Sequence, residues 1–457
     1  MGIGGIWVWM FLMWLLVMEG EEGVISGKET EMPKKCKFPA IYNFGDSNSD
    51  TGGISAAFLP VPAPNGEDFF RKPSGRACDG RLIIDLIEGG EGVRGKEKEV
   101  PKKCKFPAIY NFGDSNSDTG GISAAFLPVP PPNGEDFFRK PSGRACDGRL
   151  IIDLIAESLG LAYLSPYLDS LGANFRLGAN FATGGSTIRP QNTTLFFGGF
   201  SPFSLNVQLW QFQQFKARSI DLYHGNKSIK SRLPKPGEFT KALYTLDIGQ
   251  NDLAAGFKSM SDDQVLASIP NILNQFDQAV QQLYDQGARS FWIHNTGPIG
   301  CLPYSVIFYP FKPRNLDQYG CVKTQNEVAQ EFNRQLKERV TQLRKLLPEA
   351  ALTYVDVYTA KFGLISEAEK QGFLDPLKYC CGDHKDGAYT VGCGNKVLVN
   401  GTEVYGGSCA DPSMYISWDG VHYSQAANQW IANRILNGGL SVPPIEISQA
   451  CHNSSMY

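Results

Sequence analysis

From about residue 105 onward, short apolar runs that end in glycine-rich turns alternate with stretches of helical periodicity. KFPAIYNF (from Lys105) reads as a strand ending in the turn signal GDSNSDTGG. A Pro/Gly-rich loop follows, then a predicted helix over GRLIIDLIAESLGLAYL (from Gly148). Further strand signals are GANFATGGST (Gly178–Thr187), LYTLDIGQND (Leu243–Asp252), RSFWIHNTGPIG (Arg289–Gly300) and ALTYVDVYTA (Ala351–Ala360). Between them, SIPNILNQFDQAVQQLYDQGA predicts a helix stopping at Gly287. QNEVAQEFNRQLKERVTQLRKLL predicts a long amphipathic one before Pro348, and SQAANQWIANRILNG a terminal one. Strands alternating with helices predict a parallel sheet covered on both faces. Ligands of such sheets bind at the carboxyl ends of the strands.

The N-terminal part has a different organisation. Residues 33–87 recur as residues 101–155, with Ala63 against Pro131 as the one difference. The likeness extends upstream, so the repeated units span about residues 19–87 and 88–155. Two copies do not make a solenoid, which needs three or more. In the second copy the helix continues into the downstream elements. In the first it meets Glu88-Gly89-Gly90, where two glycines stop it. Connections between elements are short, so the second copy is expected in the core sheet. The first is expected to be a redundant appendage over residues 21–100, preceding a domain over residues 101–457. A single exon repeated in the gene would give the same sequence.

Ile6–Met18 is an unbroken apolar run of 13 residues, too short to span a bilayer and within the range of a signal-peptide core. A signal peptide over residues 1–20 is therefore expected, although the run lacks a preceding Lys or Arg and a following A-x-A site; an uncleaved anchor is the alternative. The eleven cysteines agree with an oxidising compartment. Cys380, Cys381, Cys393 and Cys409, with His384 nearby, read as disulfide partners, with zinc ligation as the alternative; spacing leaves the connectivity open. Sequons at Asn192, Asn226, Asn400 and Asn453 are glycosylation candidates.

Composition narrows the function. The 46 acidic and 43 basic residues give a net charge of −3, with no excess of cations to neutralise phosphates, which argues against nucleic-acid binding. With 42% hydrophobic and 19% charged residues the chain can bury a core. Aromatic-rich Phe196–Phe215 has two readings, a substrate pocket or a helix that packs through Leu209, Phe212 and Phe215.

The chemistry is concentrated after the strands. Ser115 stands in Gly113-Asp114-Ser115-Asn116, a tight turn at the end of a strand, where free N–H groups favour developing negative charge. Alone, this turn reads equally as an Asx or Ser cap. Thr183-Gly184-Gly185-Ser186 lets backbone N–H groups approach a ligand closely. Asn251, in Gly249-Gln250-Asn251-Asp252, carries an amide able to donate to an oxyanion. Asp419 and His422, three apart before the last helix, can serve one site, the His as general base and the Asp as its orienter. Of the five histidines only His422 combines such an acid with a following helix.

In this order FGDSNSDTGG, GANFATGGS, IGQND and DGVH resemble the GDSL esterase/lipase family of the SGNH hydrolases, from about Lys105 to Gly438. NTGPIGCLP and CADPSMYISWDGVHY resemble its plant branch, near early-nodulin-type, latex-allergen and O-acetylesterase members. The resemblance implies a three-layer α/β/α sandwich with a flavodoxin-like parallel sheet. It implies Ser115 as nucleophile, His422 as base and Asp419 as its partner. The oxyanion donors would be the Ser115 N–H, the Gly185 N–H (with Gly184 as the alternative) and the Asn251 amide. Ser47 lies in an identical motif, and chain continuity favours Ser115 over it. The activity implied is hydrolysis of small-molecule esters without a cofactor, on small acyl groups of carbohydrates or specialised metabolites. Longer lipid esters, transacylation and an inactive interaction or storage protein are the alternatives. The expected setting is a secreted monomer of the cell wall or apoplast, or secondarily of the vacuole, without stable membrane insertion or nucleic acid.

Overall fold

The computed structural model describes residues 103–169, 171–192, 199–308, 315–385 and 389–452. The signal-peptide run, the first copy with Ser47, Cys36 and Cys78, and Asn453 lie outside the described residues.

The centre is a six-stranded sheet. Its parallel strands are β1 (Ile109–Gly113), β2 (Gly178–Asn180), β3 (Leu243–Asp247), β4 (Ser290–His294) and β5 (Ala351–Val355). Two small antiparallel hairpins follow: β6 (Asp383–Lys385) with β7 (Tyr389–Val391), and β8 (Lys396–Val399) with β9 (Thr402–Tyr405). An edge strand, β10 (Ser441–Val442), pairs antiparallel with β5. The order is β10-β5-β4-β3-β1-β2, so β1 lies between β2 and β3, where the strand order reverses. A ligand crevice is expected at such a switch point.

The helices among the described residues are α1 (Gly121–Ala125), α2 (Ile151–Ser158), α3 (Leu205–Gly225), α4 (Gln250–Ser259), α5 (Asp262–Asp285), α6 (Pro303–Phe308), α7 (Lys323–Leu346), α8 (Val357–Ser366) and α9 (Gln425–Ile435). α3 and α7 both pack on α5, while α2 and α8 both pack on α9, so the expected three-layer α/β/α arrangement is present. The strands are buried on both faces, which is why they read as continuous apolar runs.

The core is aromatic around β1. Tyr110 stacks on Phe239 with ring centroids 5.2 Å apart, and Phe112 stacks on Phe181 at 5.3 Å. Phe212 meets Phe112 edge-on at 5.7 Å. Each fully buried ring of this kind contributes about 1.5–3 kcal/mol. Leu209, Phe212 and Phe215 are all buried here, so from Leu205 onward the aromatic-rich segment is a core-packing helix.

Several boundaries differ from the sequence expectation. β1 starts at Ile109 and β2 covers only Gly178–Asn180, with Phe181 and Ala182 just beyond it. α2 ends at Ser158, because Gly160 turns the chain at φ +67°. α5 starts six residues before Ser268, where Ser261 and Gln264 form a reciprocal capping box. The expected strand over Ala351–Ala360 stops at Val355; Asp356 accepts from the Thr359 N–H and starts α8.

Four disulfides are formed among the described residues: Cys104–Cys451, Cys301–Cys321, Cys380–Cys409 and Cys381–Cys393. The cysteine cluster is thus a pair of disulfides, and Cys146 is a buried free thiol. Cys104–Cys451 joins the segment before β1 to the last described turn across 347 residues. Long loops gain most from such closure, typically about 2–4 kcal/mol. Replacing Cys104 and Cys451 together by Ser is expected to lower stability by about that amount in chemical denaturation. An unchanged midpoint would show that the ends of the domain are held by packing alone.

Candidate active site

Ser115, Gly185 and Asn251 stand in the segments that follow the carboxyl ends of β1, β2 and β3. β1 runs into its turn through Gly113, where a Cβ would lie 2.6 Å from the Asp247 carbonyl oxygen and collide with Ser117 Oγ. Only glycine lets the two strands approach so closely there. Gln208, buried on α3, serves both backbone groups of Gly113: its Oε1 accepts from the N–H at 3.0 Å and its Nε2 donates to the carbonyl at 2.8 Å. The Asp114 N–H donates to the Asp247 carbonyl at 3.2 Å, and the Ser117 N–H closes the turn on the Asp114 carbonyl at 3.1 Å. Ser115 stands half-buried at the crest of this turn.

Below it, Asn111 Nδ2 donates to Asn180 Oδ1 at 2.7 Å, and Asn180 Nδ2 donates to the Ser117 carbonyl at 2.7 Å and to Thr119 Oγ1 at 2.9 Å. Buried amides satisfied in this way fix a unique geometry.

The glycine segment after β2 is clamped at both ends by buried carboxylates. Asp118 accepts from the N–H groups of Gly120 (2.8 Å), Gly121, Ile122 (3.0 Å) and Gly184 (2.7 Å). Asp252 accepts from Ile188 at 2.7 Å and Arg189 at 3.0 Å. Gly184 therefore gives its N–H to Asp118, which leaves Gly185 as the candidate donor of the pair. Gly185 has φ +75°, and a Cβ there would come within 3.0 Å of the Gly199 carbonyl oxygen. Its own carbonyl accepts from the Ser201 N–H at 2.8 Å. Asn251, at the start of α4, donates through Nδ2 to the Ser186 carbonyl at 3.0 Å and to Asp114 Oδ2 at 3.3 Å. All three candidate donor segments are thus linked by direct hydrogen bonds.

Asp419 and His422 are brought together by a tight turn. Asp419 Oδ1 accepts from the N–H groups of Val421 (3.0 Å) and His422 (2.8 Å), and Oδ2 lies 2.6 Å from His422 Nδ1. With Nδ1–H directed at the carboxylate, Nε2 is left as the proton acceptor. Burial pulls the imidazole down, but the Asp419 charge and hydrogen bond, with Asp114 beyond, outweigh it and hold His422 above its ordinary value. Burial pushes Asp419 up, and the His422 charge and hydrogen bonds outweigh that and hold it below the usual range. Asp114 is pushed up to about 7 by burial and then by the neighbouring Asp247 charge. Asp114 acts electrostatically on His422, so the imidazole lies within reach of the charge of the Ser115 turn.

His422 borders a shallow apolar depression lined by Leu302, Pro303, Ile365 and Ile416. The sequence reading missed Asp118 and Asp252, although both stand inside the quoted motifs.

An α/β fold with an Asp–His pair and a serine turn at the carboxyl end of its sheet defines a hydrolase-type site. The GDSL-like lipase/acylhydrolase family matches residues 109–435, starting within the second copy of the repeat. A GDSL esterase/lipase of Arabidopsis thaliana is 60% identical over 356 residues, covering 77% of this chain and 91% of the relative. An esterase of Hevea brasiliensis is 52% identical, covering 77% and 90%. A relative from Arabidopsis thaliana named alpha-L-fucosidase 3 is also 52% identical, covering 76% and 93%. The chain belongs to the GDSL esterase/lipase family, and it is a carboxylic ester hydrolase.

Asp118→Asn replaces one acceptor oxygen by an amide N–H that cannot take the Gly184 or Gly121 hydrogen. Loosening the donor segment in this way is expected to lower kcat about 10–100-fold, with KM changed far less. Steady-state kinetics on a soluble ester checks this, with a thermal melt to confirm folding. A loss confined to KM would place Asp118 in substrate binding instead.

Proposed function

We propose that this protein is a secreted serine esterase that removes small acyl groups from carbohydrate or specialised-metabolite esters through an acyl-enzyme on Ser115. The observation that carries this reading is the 2.6 Å contact of His422 Nδ1 with Asp419 Oδ2, beside an imidazole on which Asp114 of the Ser115 turn acts electrostatically. Ser115 Oγ attacks the ester carbonyl while His422 Nε2 takes its proton, and Asp419 stabilises the imidazolium. The oxyanion is received by the N–H groups of Ser115 and Gly185 and by Asn251 Nδ2, each such donor being worth about 10²–10³ in kcat. The imidazolium then protonates the departing alcohol, and water activated by His422 releases the acid.

Disulfides fit an oxidising compartment, and Asn192, Asn226 and Asn400 are exposed as glycosylation requires. Among the described residues no helix is long and apolar enough to cross a membrane.

Hydrolysis of p-nitrophenyl acetate, p-nitrophenyl palmitate and acetylated xylo-oligosaccharides tests the reading. We expect kcat/KM to be highest on acetyl esters and abolished in Ser115→Ala. A preference for palmitate would move the protein to the lipases, and recovery of an acylated alcohol instead of free acid would make it a transacylase. Because His422 is held above its ordinary value of about 6.5, kcat/KM should rise with pH through a midpoint above that value. Asp419→Asn removes the charge that raises it, so the midpoint should fall as the rate drops. A midpoint that stays in place in Asp419→Asn would assign the limb to another group.

A further inference from the structure

Behind the Ser115 turn lies a second set of ionisable side chains that two-step acyl transfer does not use. Asp247 closes β3, in register with Gly113 of β1, and its Oδ2 lies 3.2 Å from His294 Nδ1 on β4. Asp114 is on the neighbouring strand end, and Lys361 comes up from the middle of α8, only 2% exposed. Lysine is among the residues least often fully buried, and it stays so only with compensating charge. The fold makes room for it. A Cβ on Gly297, in the loop after β4, would come 2.9 Å from Lys361 Cδ and 3.5 Å from Nζ. The ammonium lies 4.5 Å from the centroid of the Tyr423 ring, the residue after His422. A cation over an aromatic face is favoured as a charge.

The groups facing this ammonium are Asp114 from the β1 turn, Asp247 from β3, and His422 and Tyr423 from the segment before α9. His294 reaches it through Asp247, and Asp419 through His422. On its own helix Tyr358 faces Tyr423. Burial pulls Lys361 down, and the charges of Asp247 and then Asp114 oppose that. Lys361 in turn acts on both carboxylates and on the imidazole, favouring ionised Asp114 and Asp247 and neutral His422.

We propose that Lys361 is a positioning residue of the hydrolase reaction: its buried ammonium, held against Tyr423 beneath the Ser115 turn, balances Asp114 and Asp247 so that His422 remains the neutral proton acceptor. The proposal rests on the reading of His422 as the base. Lys361 touches no reacting atom and acts through charge. Without it, Asp114, which acts on the imidazole, loses its cationic neighbour, and Asp247 keeps only His294. Removing one positive charge from a coupled set of acids raises every apparent pKa of the set, whichever group carries the proton. The acid limb of kcat/KM therefore moves to higher pH.

Lys361→Met, with Lys361→Arg and Gly297→Ala beside it, tests this through pH profiles of kcat/KM between pH 5 and 9. Lys361→Met should shift the acid limb upward by about half to one unit, so that the loss grows to about three- to tenfold at pH 6 and shrinks toward pH 9. Lys361→Arg keeps the charge and should return the limb toward the wild type. Gly297→Ala keeps the lysine but displaces it, and should shift the limb in the same direction as Lys361→Met. Thermal melts establish that each variant is folded; if Lys361→Met does not fold, the Gly297→Ala profile decides. An acid limb that stays in place in a folded variant, with activity lowered evenly or not at all, would overturn the proposal. His422→Ala separates the two readings: if it stays active, the base assignment fails, whereas a dead His422→Ala with an unmoved limb in Lys361→Met defeats the role of Lys361 alone.

Discussion

Two buried carboxylates that bind backbone N–H groups hold the candidate donor segments of this site in place. Asp118 takes four such hydrogens and Asp252 two, and together they grip the segment from Gly184 to Arg189 at both ends. The physical reason is the geometry of a parallel sheet. Where its strands end, three loops must cross a water-poor crevice, and their N–H groups have no ladder partners. A carboxylate is the strongest acceptor available, and hydrogen bonds to charged groups are stronger than neutral ones. The cost shows in the acids themselves, since burial raises both, Asp252 to about 7. Each clamp belongs to the motif that carries another candidate donor: Asp118 to the Ser115 turn and Asp252 to the Asn251 loop. The donors are thereby fixed relative to one another before substrate arrives, as electrostatic preorganisation requires.

The histidine side is held by different means. The Asp419–His422 turn is closed by the Trp418 N–H on the His422 carbonyl at 2.8 Å. Trp418 is fully buried against Cys380 and Cys381, and its Nε1 donates to Asn133 at 2.8 Å. Backbone bonds run from the Cys380 N–H to the Ser417 carbonyl and from the Cys381 N–H to the Trp418 carbonyl. The two cysteines that supply those bonds are held in turn by disulfides to Cys409 and Cys393. The covalent cross-links thus support the part of the site that lies on irregular chain, while the serine and oxyanion side is supported by the sheet.

Much of this was legible in the sequence, and what was not has identifiable causes. Continuous apolar runs located the parallel strands and a period-3.6 pattern α7, and the motifs after β1, β2 and β3 pointed to the carboxyl ends of the sheet. The start of α5 was hidden because Ser261 and Gln264 cap it before the apolar pattern begins. Val355 and Val357 read as one apolar run, although Asp356 between them ends a strand and caps a helix. Asp118 stood in plain view, but its partner Gly184 is 66 residues away, and no local pattern encodes that contact. Lys361 did carry a signal: Val357, Leu364 and Ile365 place it on the buried face of α8, where a lysine is unusual. Connectivity of the cysteines followed only from the fold that brings each pair together.

The central claim is that the hydrolase is built on the second copy of the repeat, with Ser115 as its nucleophile. Labelling the purified protein with a fluorophosphonate and mapping the adduct after trypsin tests it most directly. The peptides beginning at Phe38 and Phe106 differ by Ala63 against Pro131, so their masses identify the copy. The account predicts label on Ser115 and none on Ser47. Label on Ser47, or on neither serine with both peptides recovered, would contradict it.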